Sequence, residues 1–209
     1  YEIYQCDWSS DVCSSDLSRC YDKRSMSKVD IKRLVEANSK RSTIYTPIIE
    51  AVVNSLQAIE VSPNRDKGEI EVIFYRDQAS LPLVGSDTAG DTTPDITSID
   101  VVDNGVGFND DNTDSFDTLH SSQKIKDGGM GFGRTFYLQY FSTVSVESVF
   151  QLEDGSDTQV YRSFDFTKND FVDNQLYAAL DEHSTPYTKL SLRNVVKKHH
   201  GKLDKKIDT

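Results

Sequence analysis

Cysteine is almost absent from this sequence, and its three copies, Cys6, Cys13 and Cys20, all lie close to the start. Disulfide frameworks and structural zinc sites both depend on several cysteines at suitable spacing. The rest of the chain has no cysteine, so neither a disulfide nor a thiolate metal site supports its fold.

The segment that carries these cysteines is unusual in a second way. Residues 7–17, DWSSDVCSSDL, match letter for letter the translation of a common sequencing-library adapter. We therefore interpret residues 1–17 as an adapter artefact and exclude them from reasoning about the fold, as an expression tag would be. Residues 18–26 form an undefined junction, and Met26 is the expected natural start. A natural leader rich in serine and aspartate is the alternative.

Long apolar runs and excess positive charge are also missing. No run approaches the roughly 20 apolar residues that a membrane-spanning helix needs, and no secretory signal pattern is present. The formal net charge is −11, and removing the four acids of residues 1–17 leaves it at −7. An acidic chain does not bind nucleic acid through general electrostatics, although residues 193–206 are locally basic. We expect a cytoplasmic protein whose domain supports neither a membrane nor a nucleic-acid partner.

The order of predicted elements indicates an α+β fold. Thr46 and Pro47 form a typical helix start. The helix that follows has one broad apolar face, formed by Ile49, Val52, Val53, Leu56 and Ile59. Strand-forming segments follow at 69–75, 98–102, 142–150, 158–166 and 188–194, with a loop at 76–97, a polar segment at 108–127 that we expect to be mobile, and a helix after 128–133. We expect a sandwich in which a mixed β-sheet is covered on one face by helices.

The segment 100–114, DVVDNGVGFNDDNTD, allows three local interpretations: a calcium loop, a hairpin turn, or the floor of a nucleotide pocket. An EF-hand loop needs oxygen ligands at its first, third and fifth positions and a glycine at its sixth. Starting at Asp100 puts Val102 third, and starting at Asp110 puts Ser115 sixth, so the calcium interpretation fails. The sequence also contains no phosphate-binding P-loop pattern. The other two interpretations stay open on the local sequence alone.

Two other groups of residues favour a nucleotide site, although each is a weak signal by itself. Glu50 and Asn54 lie one turn apart on the polar side of the first predicted helix, which is more often a solvated surface. The segment GGMGFG at 128–133 opens a helix, where clustered glycines and free backbone N–H groups favour phosphate.

Together these features resemble the GHKL ATPase superfamily, which includes gyrase B subunits, heat-shock-ninety chaperones, histidine kinases and MutL proteins. EAVVNSLQA at 50–58 resembles the first motif, DNGVG at 103–107 the second, GGMGFG the third and YTKLSL at 187–192 the fourth. The resemblance covers residues 27–193 and implies a Bergerat-type two-layer sandwich. We expect residues 194–209 to be the basic start of a downstream region.

The resemblance implies a role for each matching residue. Asp103 would accept a hydrogen bond from the adenine amino group, with support from Thr188, and Gly105 and Gly107 would let the chain pass under the base. Asn54 would ligate magnesium, and Glu50 would be the general base that activates the attacking water. The phosphates would be bound by backbone N–H groups of Gly128, Gly129, Gly131 and Gly133, and by Lys124 from an ATP lid over residues 108–127.

ATP as substrate, Mg²⁺ as cofactor and an ATP-dependent homodimer of the full-length protein are further implications of the resemblance. Glu50 puts the chain nearer the hydrolytic MutL and chaperone branch, because histidine kinases typically lack this glutamate. The implied function is Mg-dependent ATP hydrolysis coupled to lid closure and dimerisation. The alternatives are a nucleotide-gated binding module with little hydrolysis, and histidine-kinase-like phosphotransfer.

Overall fold

The computed structural model describes residues 42–77, 93–117, 133–153, 156–168, 172–182, 184–203 and 207. Its helices are α1 (Thr46–Glu60), α2 (Asp110–Asp117) and α3 (Gly133–Tyr140), with short 3-10 turns at Arg65–Lys67 and Lys197–His199. Its strands are β1 (Ile70–Arg76), β2 (Ile96–Asp103), β3 (Phe141–Gln151), β4 (Gln159–Phe166), β5 (Asp173–Ala179) and β6 (Tyr187–Val195). None of these helices is long and apolar enough to cross a membrane. The predictions for residues 1–41 and for most of the loop at 76–97 lie outside the described residues.

The six strands form one sheet in the order β1-β2-β6-β3-β4-β5, and every neighbouring pair is antiparallel. The predicted α+β fold is confirmed, but the expected mixed pairing is wrong for the described strands. β2 and β3 point the same way, because β6 is antiparallel to both. β6 also lies between them, so their parallel relation never becomes a hydrogen-bonded pair.

One face of the sheet forms the core together with two of the helices. The register places Ile99, Leu192, Val144 and Phe166 side by side across β2, β6, β3 and β4. All four are buried and pack with side chains of α1 and α3 in one cluster. Burial of apolar side chains is the main force that joins such layers. The expectation that helices cover one face is therefore confirmed.

The predicted extent of α1 is confirmed, but its predicted apolar face is buried only in part: Ile59 is buried and Val52 packs against the core, while the other three residues are exposed. Ile49, Val53 and Leu56 are 60%, 41% and 54% exposed. The buried positions include the small residues Ala51 and Ser55 instead. Small side chains allow close approach, and Ser55 reaches the end of β2 with a hydrogen bond of 2.7 Å to Asp103. The orientation of α1 therefore follows from the close fit of its small side chains to the sheet, and not from the broad apolar face seen in its sequence.

α2 is a helix within the polar segment 108–127, where the sequence analysis predicts no helix. Asn109 caps the helix, because its Oδ1 accepts the N–H of Asn112 at 2.9 Å. Asp110 and Asp111 place negative charge in the first turn, where the helix dipole favours it. Capping and charge therefore produce a helix although the segment has little apolar character. The rest of the expected lid, residues 118–127, lies outside the described part of the chain.

β5 is a strand that the sequence analysis does not predict. Its sequence, DNQLYAA, lacks apolar alternation, and most of its side chains are at least partly exposed. It lies at the edge of the sheet, next to β4. Its strand conformation therefore depends on backbone pairing with β4, which the local sequence does not encode.

The opposite face of the sheet contains a buried ion cluster around Asp100, which is 0% exposed. Arg193 Nη1 lies 2.5 Å from Asp100 Oδ1. The Tyr75 hydroxyl donates to Asp100 Oδ2 at 2.8 Å, and Lys189 Nζ lies 3.8 Å from the same oxygen. The cluster joins β1, β2 and β6 on the face away from α1 and α3.

Candidate functional site

The centre of the candidate site is Asp103, the last residue of β2 and 5% exposed. The Ser55 hydroxyl, from α1, donates to Asp103 Oδ2 at 2.7 Å. The backbone N–H of Gly105 donates to Oδ1 at 3.0 Å. The carboxylate is therefore held in one orientation by a helix on one side and by its own turn on the other.

The charge of Asp103 is not balanced by a neighbouring cation among the described residues. Burial raises the pKa of Asp103, and the hydrogen bonds from Ser55 and Gly105 offset only part of that effect, so its pKa lies above the ordinary value. Both donors are neutral groups. The site therefore holds a buried acid that can accept a further hydrogen bond but whose ionised form is costly.

Gly105 and Gly107 allow the turn after Asp103 to lie against the protein. A Cβ on Gly105 would come within 2.7 Å of the Ala58 carbonyl carbon on α1. Gly107 has a φ of +78°, and its Cβ would lie 2.7 Å from the Cβ of Phe150 on β3. The sequence analysis expects these glycines to make room for a base. The contacts within the protein require them as well.

Thr188 lies directly beside Asp103, because the two residues are register partners in β6 and β2. Thr188 is buried, and its Oγ1 lies 3.2 Å from Oγ of Ser148, its register partner in β3. The residues that resemble the second and fourth motifs, far apart in sequence, thus meet on the helix-covered face of the sheet.

Glu50 and Asn54 are half-buried on α1, one turn apart. The Asn54 side-chain amide donates to the Tyr137 hydroxyl of α3 at 3.1 Å. Ser55, which follows Asn54, bonds Asp103. α1 therefore links the residues that resemble the first motif to the end of β2 and to α3.

Of the residues predicted to bind phosphate, Gly133 is the first residue of α3. Lys124, Gly128, Gly129 and Gly131 lie outside the described residues, and their predicted roles remain predictions. Within the described ranges, no group of three or more His, Cys, Asp or Glu side chains is arranged to hold a metal ion.

Four residues of the site region were not anticipated: Ser55, Tyr137, Ser148 and Arg162. A signal for two of them is present in the sequence. Ser148 interrupts the alternating apolar positions of β3, and Arg162 does the same in β4, yet both are buried. A polar residue in phase with core positions is a departure from the binary pattern and marks a group with a specific partner.

Comparisons of this chain with known proteins find similar proteins among solved structures. No protein-family model matches it, and no curated protein matches it significantly. Among solved structures, two similar ones are crystal structures of the ATPase region of Saccharomyces cerevisiae topoisomerase II, one bound to ICRF-187 (dexrazoxane). Each has 14% identity and a TM-score of 0.46, and the match covers 72% of this chain and 37% of that one.

This chain therefore spans little more than a third of the topoisomerase region it matches. Neither of the two structures is a MutL protein or a chaperone, the branch that the sequence favours. Likeness at this level assigns neither a family nor an activity, so a functional proposal has to rest on the residues of the site.

Proposed function

We propose that this chain is the ATP-binding domain of a GHKL-type ATPase, in which Asp103 recognises adenine. The observation that carries the proposal is the burial of Asp103 between two neutral donors, with no cation partner among the described residues. Burying an unbalanced carboxylate costs free energy. Proteins tolerate such local costs mainly at functional sites.

The Asp103 carboxylate suits the exocyclic amino group of adenine. An ionised carboxylate has about four acceptor positions. Ser55 and Gly105 each donate one hydrogen bond to it, so capacity remains for an N–H donor from a ligand. Guanine presents a carbonyl oxygen at the corresponding position, and a carboxylate repels that oxygen. The proposal therefore favours ATP over GTP.

Glu50 and Asn54 supply two groups that phosphate chemistry needs. Magnesium prefers oxygen ligands and completes its octahedron with phosphate oxygens and water, so the side-chain oxygen of Asn54 is a suitable protein ligand. Bound magnesium would neutralise charge on the phosphates. Glu50, one turn earlier on α1, is assigned as the general base that orients and deprotonates the attacking water. A glutamate in this role favours a hydrolytic branch over a phosphotransferase.

The remaining parts of the proposal concern the phosphates and the larger protein. Gly128, Gly129, Gly131 and Gly133 are assigned to the phosphates, together with Lys124. Support comes from the start of α3 at Gly133, because helix N-termini favour anions. Lid closure, dimerisation and the placement near MutL proteins and chaperones are proposals that rest on the sequence motifs alone.

Glu50→Ala is the variant that tests the proposed reaction. We expect it to bind Mg-ATP in titration calorimetry about as tightly as wild type, because Glu50 is assigned to the water and not to the nucleotide. Single-turnover hydrolysis should fall by roughly a hundredfold or more. Glu60→Ala removes an exposed glutamate from the last turn of the same helix and is the matched control that should change neither quantity.

Three outcomes would change the proposal in different ways. Wild-type turnover in Glu50→Ala removes Glu50 from its role. Tight Mg-ATP binding without turnover, even in the full-length wild-type protein, favours a nucleotide-gated binding module. Equal affinity for Mg-ATP and Mg-GTP contradicts the assignment of Asp103 to adenine.

A further inference from the structure

Arg162 is a buried arginine on the helix-covered face of the sheet, with only 1% of its surface exposed. Its neighbours on the same face of β4 are the buried apolar residues Val160, Phe164 and Phe166. A guanidinium in such a row is costly unless charge and hydrogen bonds compensate for its loss of water. Its position therefore calls for a specific set of partners.

Among the described residues, the acceptors that Arg162 bonds all lie in one short segment. Nη1 donates to the backbone oxygens of Phe108 at 2.7 Å and Asn109 at 3.1 Å, and also to the hydroxyl of Thr113. Nη2 donates to Asp110 Oδ1 at 2.6 Å. These acceptors belong to the chain that leads from the Asp103 turn into the first turn of α2.

The guanidinium is also held from its sides. Its carbon lies 5.2 Å from the ring centroid of Phe150 on β3 and 4.9 Å from that of Tyr177 on β5. Aromatic faces attract cations at such distances. Only Nε lacks a hydrogen-bond partner among the described residues. These two rings therefore fix the orientation of the Arg162 guanidinium, apart from its hydrogen bonds to residues 108–113.

Ser148, the register partner of Arg162 in β3, also bonds the backbone of Phe108. Its hydroxyl oxygen accepts the N–H of Phe108 at 3.0 Å. Arg162 donates to the carbonyl oxygen of Phe108. Both backbone groups of Phe108 are therefore bonded by side chains from adjacent strands. Asn112 Nδ2 donates to the carbonyl of Gly107 at 2.7 Å. The turn after the DNGVG segment thus has a single defined path.

The strand register connects this anchor to the candidate site. Asp103, Thr188, Ser148 and Arg162 are successive partners across β2, β6, β3 and β4. Thr188 and Ser148 are in hydrogen-bond contact at 3.2 Å. One polar row on the helix-covered face therefore runs from the proposed adenine-binding carboxylate to the guanidinium that holds the following segment.

We propose that Arg162 is a positioning residue of the nucleotide site, and this inference rests on the proposed function. Arg162 acts through the backbone of Phe108 and Asn109 and through Asp110 and Thr113, and it does not itself touch the nucleotide. It fixes the chain from Gly107 into α2 and so keeps the turn beside Asp103 in its binding conformation. A lysine would keep the positive charge, but it lacks the planar set of N–H donors with which a guanidinium bonds carbonyl oxygens and a carboxylate at the same time.

The test compares Arg162→Lys with Arg193→Lys in the full chain. Arg193 also pairs with a buried aspartate, Asp100, but on the opposite face of the sheet, so it controls for the general loss of an arginine. Asp110→Asn is a second, milder variant, because Asp110 is largely exposed. The measurements are backbone amide hydrogen exchange of residues 108–113 without ligand, and the Mg-ATP dissociation constant.

Arg162→Lys should speed exchange of these amides and weaken Mg-ATP binding by roughly tenfold to a hundredfold, as small displacements in a binding site do. Asp110→Asn should shift both quantities in the same direction by less, and Arg193→Lys should leave both unchanged. Wild-type affinity in Arg162→Lys overturns the inference, and so does an equal loss of affinity in Arg193→Lys.

Failure of the proposed function has a different signature from failure of this inference. If the wild-type protein binds no Mg-ATP, the proposed function is wrong, and the nucleotide role of Arg162 is wrong with it. The hydrogen-exchange measurement then tests only whether Arg162 fixes residues 108–113. Unchanged exchange of residues 108–113 in Arg162→Lys would show that the guanidinium does not fix this segment.

Discussion

Asp100 and Asp103 are both buried on β2 but point to opposite faces of the sheet, and their electrostatic surroundings differ. Burial tends to raise the pKa of Asp100, yet the Arg193 guanidinium, with Ser191 and Tyr75, brings it below its ordinary value. Burial raises the pKa of Asp103, which has only neutral donors among the described residues. Removing one partner of a buried ion pair is destabilising, because it leaves the other charge buried without compensation. An unpaired buried acid costs stability, and we therefore assign Asp103 to binding.

Acid pH should remove the stability that Asp100 contributes. Its folded-state pKa is lowered, so the contribution is present above the unfolded value of about 3.9 and is lost as the pH falls through the folded pKa. We expect Asp100→Asn to lower the free energy of unfolding by roughly 2 kcal/mol at neutral pH. Urea unfolding near neutral pH and near about pH 3.5 should show this difference shrinking. A difference that is independent of pH would contradict the assignment.

At the scale of elements, the turn between β2 and α2 is held against both layers of the fold. Val106 N–H donates to the carbonyl of Ala58 on α1 at 3.2 Å, and Phe108 N–H donates to Ser148 on β3 at 3.0 Å. Gly107 lies between these two anchors with a positive φ. The path of the turn therefore depends on a glycine at this position.

Gly107→Ala should be more destabilising than the same change at Gly201. Both glycines have positive φ, +78° and +67°, so an added Cβ meets similar backbone strain. At Gly107 it would also lie 2.7 Å from Phe150 Cβ, whereas at Gly201 the nearest atom is Asp95 Oδ2 at 3.6 Å. We expect losses of about 2–4 kcal/mol at Gly107 and about 1–2 kcal/mol at Gly201 in urea unfolding. Equal losses of unfolding free energy at the two positions would mean that the turn at Gly107 relaxes away from β3.

Local patterns predict most of these elements, and where they fail the cause is a contact distant in sequence. The start of α1 and the strands with alternating apolar residues follow from Pro47 and from two-residue periodicity. The buried face of α1 does not, because it depends on the fit of Ser55 to Asp103. β5 depends on pairing with β4. α2 was predictable in principle from the Asn109 cap and the acids that follow it.

At the scale of the whole molecule, the insertion of β6 between β2 and β3 builds the candidate site. It puts Thr188 between Asp103 and Ser148 in one row across the sheet. The sequence motifs predict Asp103, Thr188, Glu50 and Asn54 as site residues, but not their supporting contacts. Ser148 and Arg162 stand out in the sequence as polar residues at apolar positions of β3 and β4, but their partners could not be predicted, because these are known only once the strand order is known.

The most direct test of the account is the Mg-ATP dissociation constant of Asp103→Asn beside that of Asp100→Asn. Both changes remove one buried charge from β2, on opposite faces. We predict that Asp103→Asn loses affinity by about a hundredfold or more, as at sites built around a buried polar contact, while its melting temperature is unchanged or higher. Asp100→Asn should keep wild-type affinity and melt at a lower temperature. Wild-type affinity in Asp103→Asn, or loss of affinity in both variants in proportion to their stability, would contradict the account.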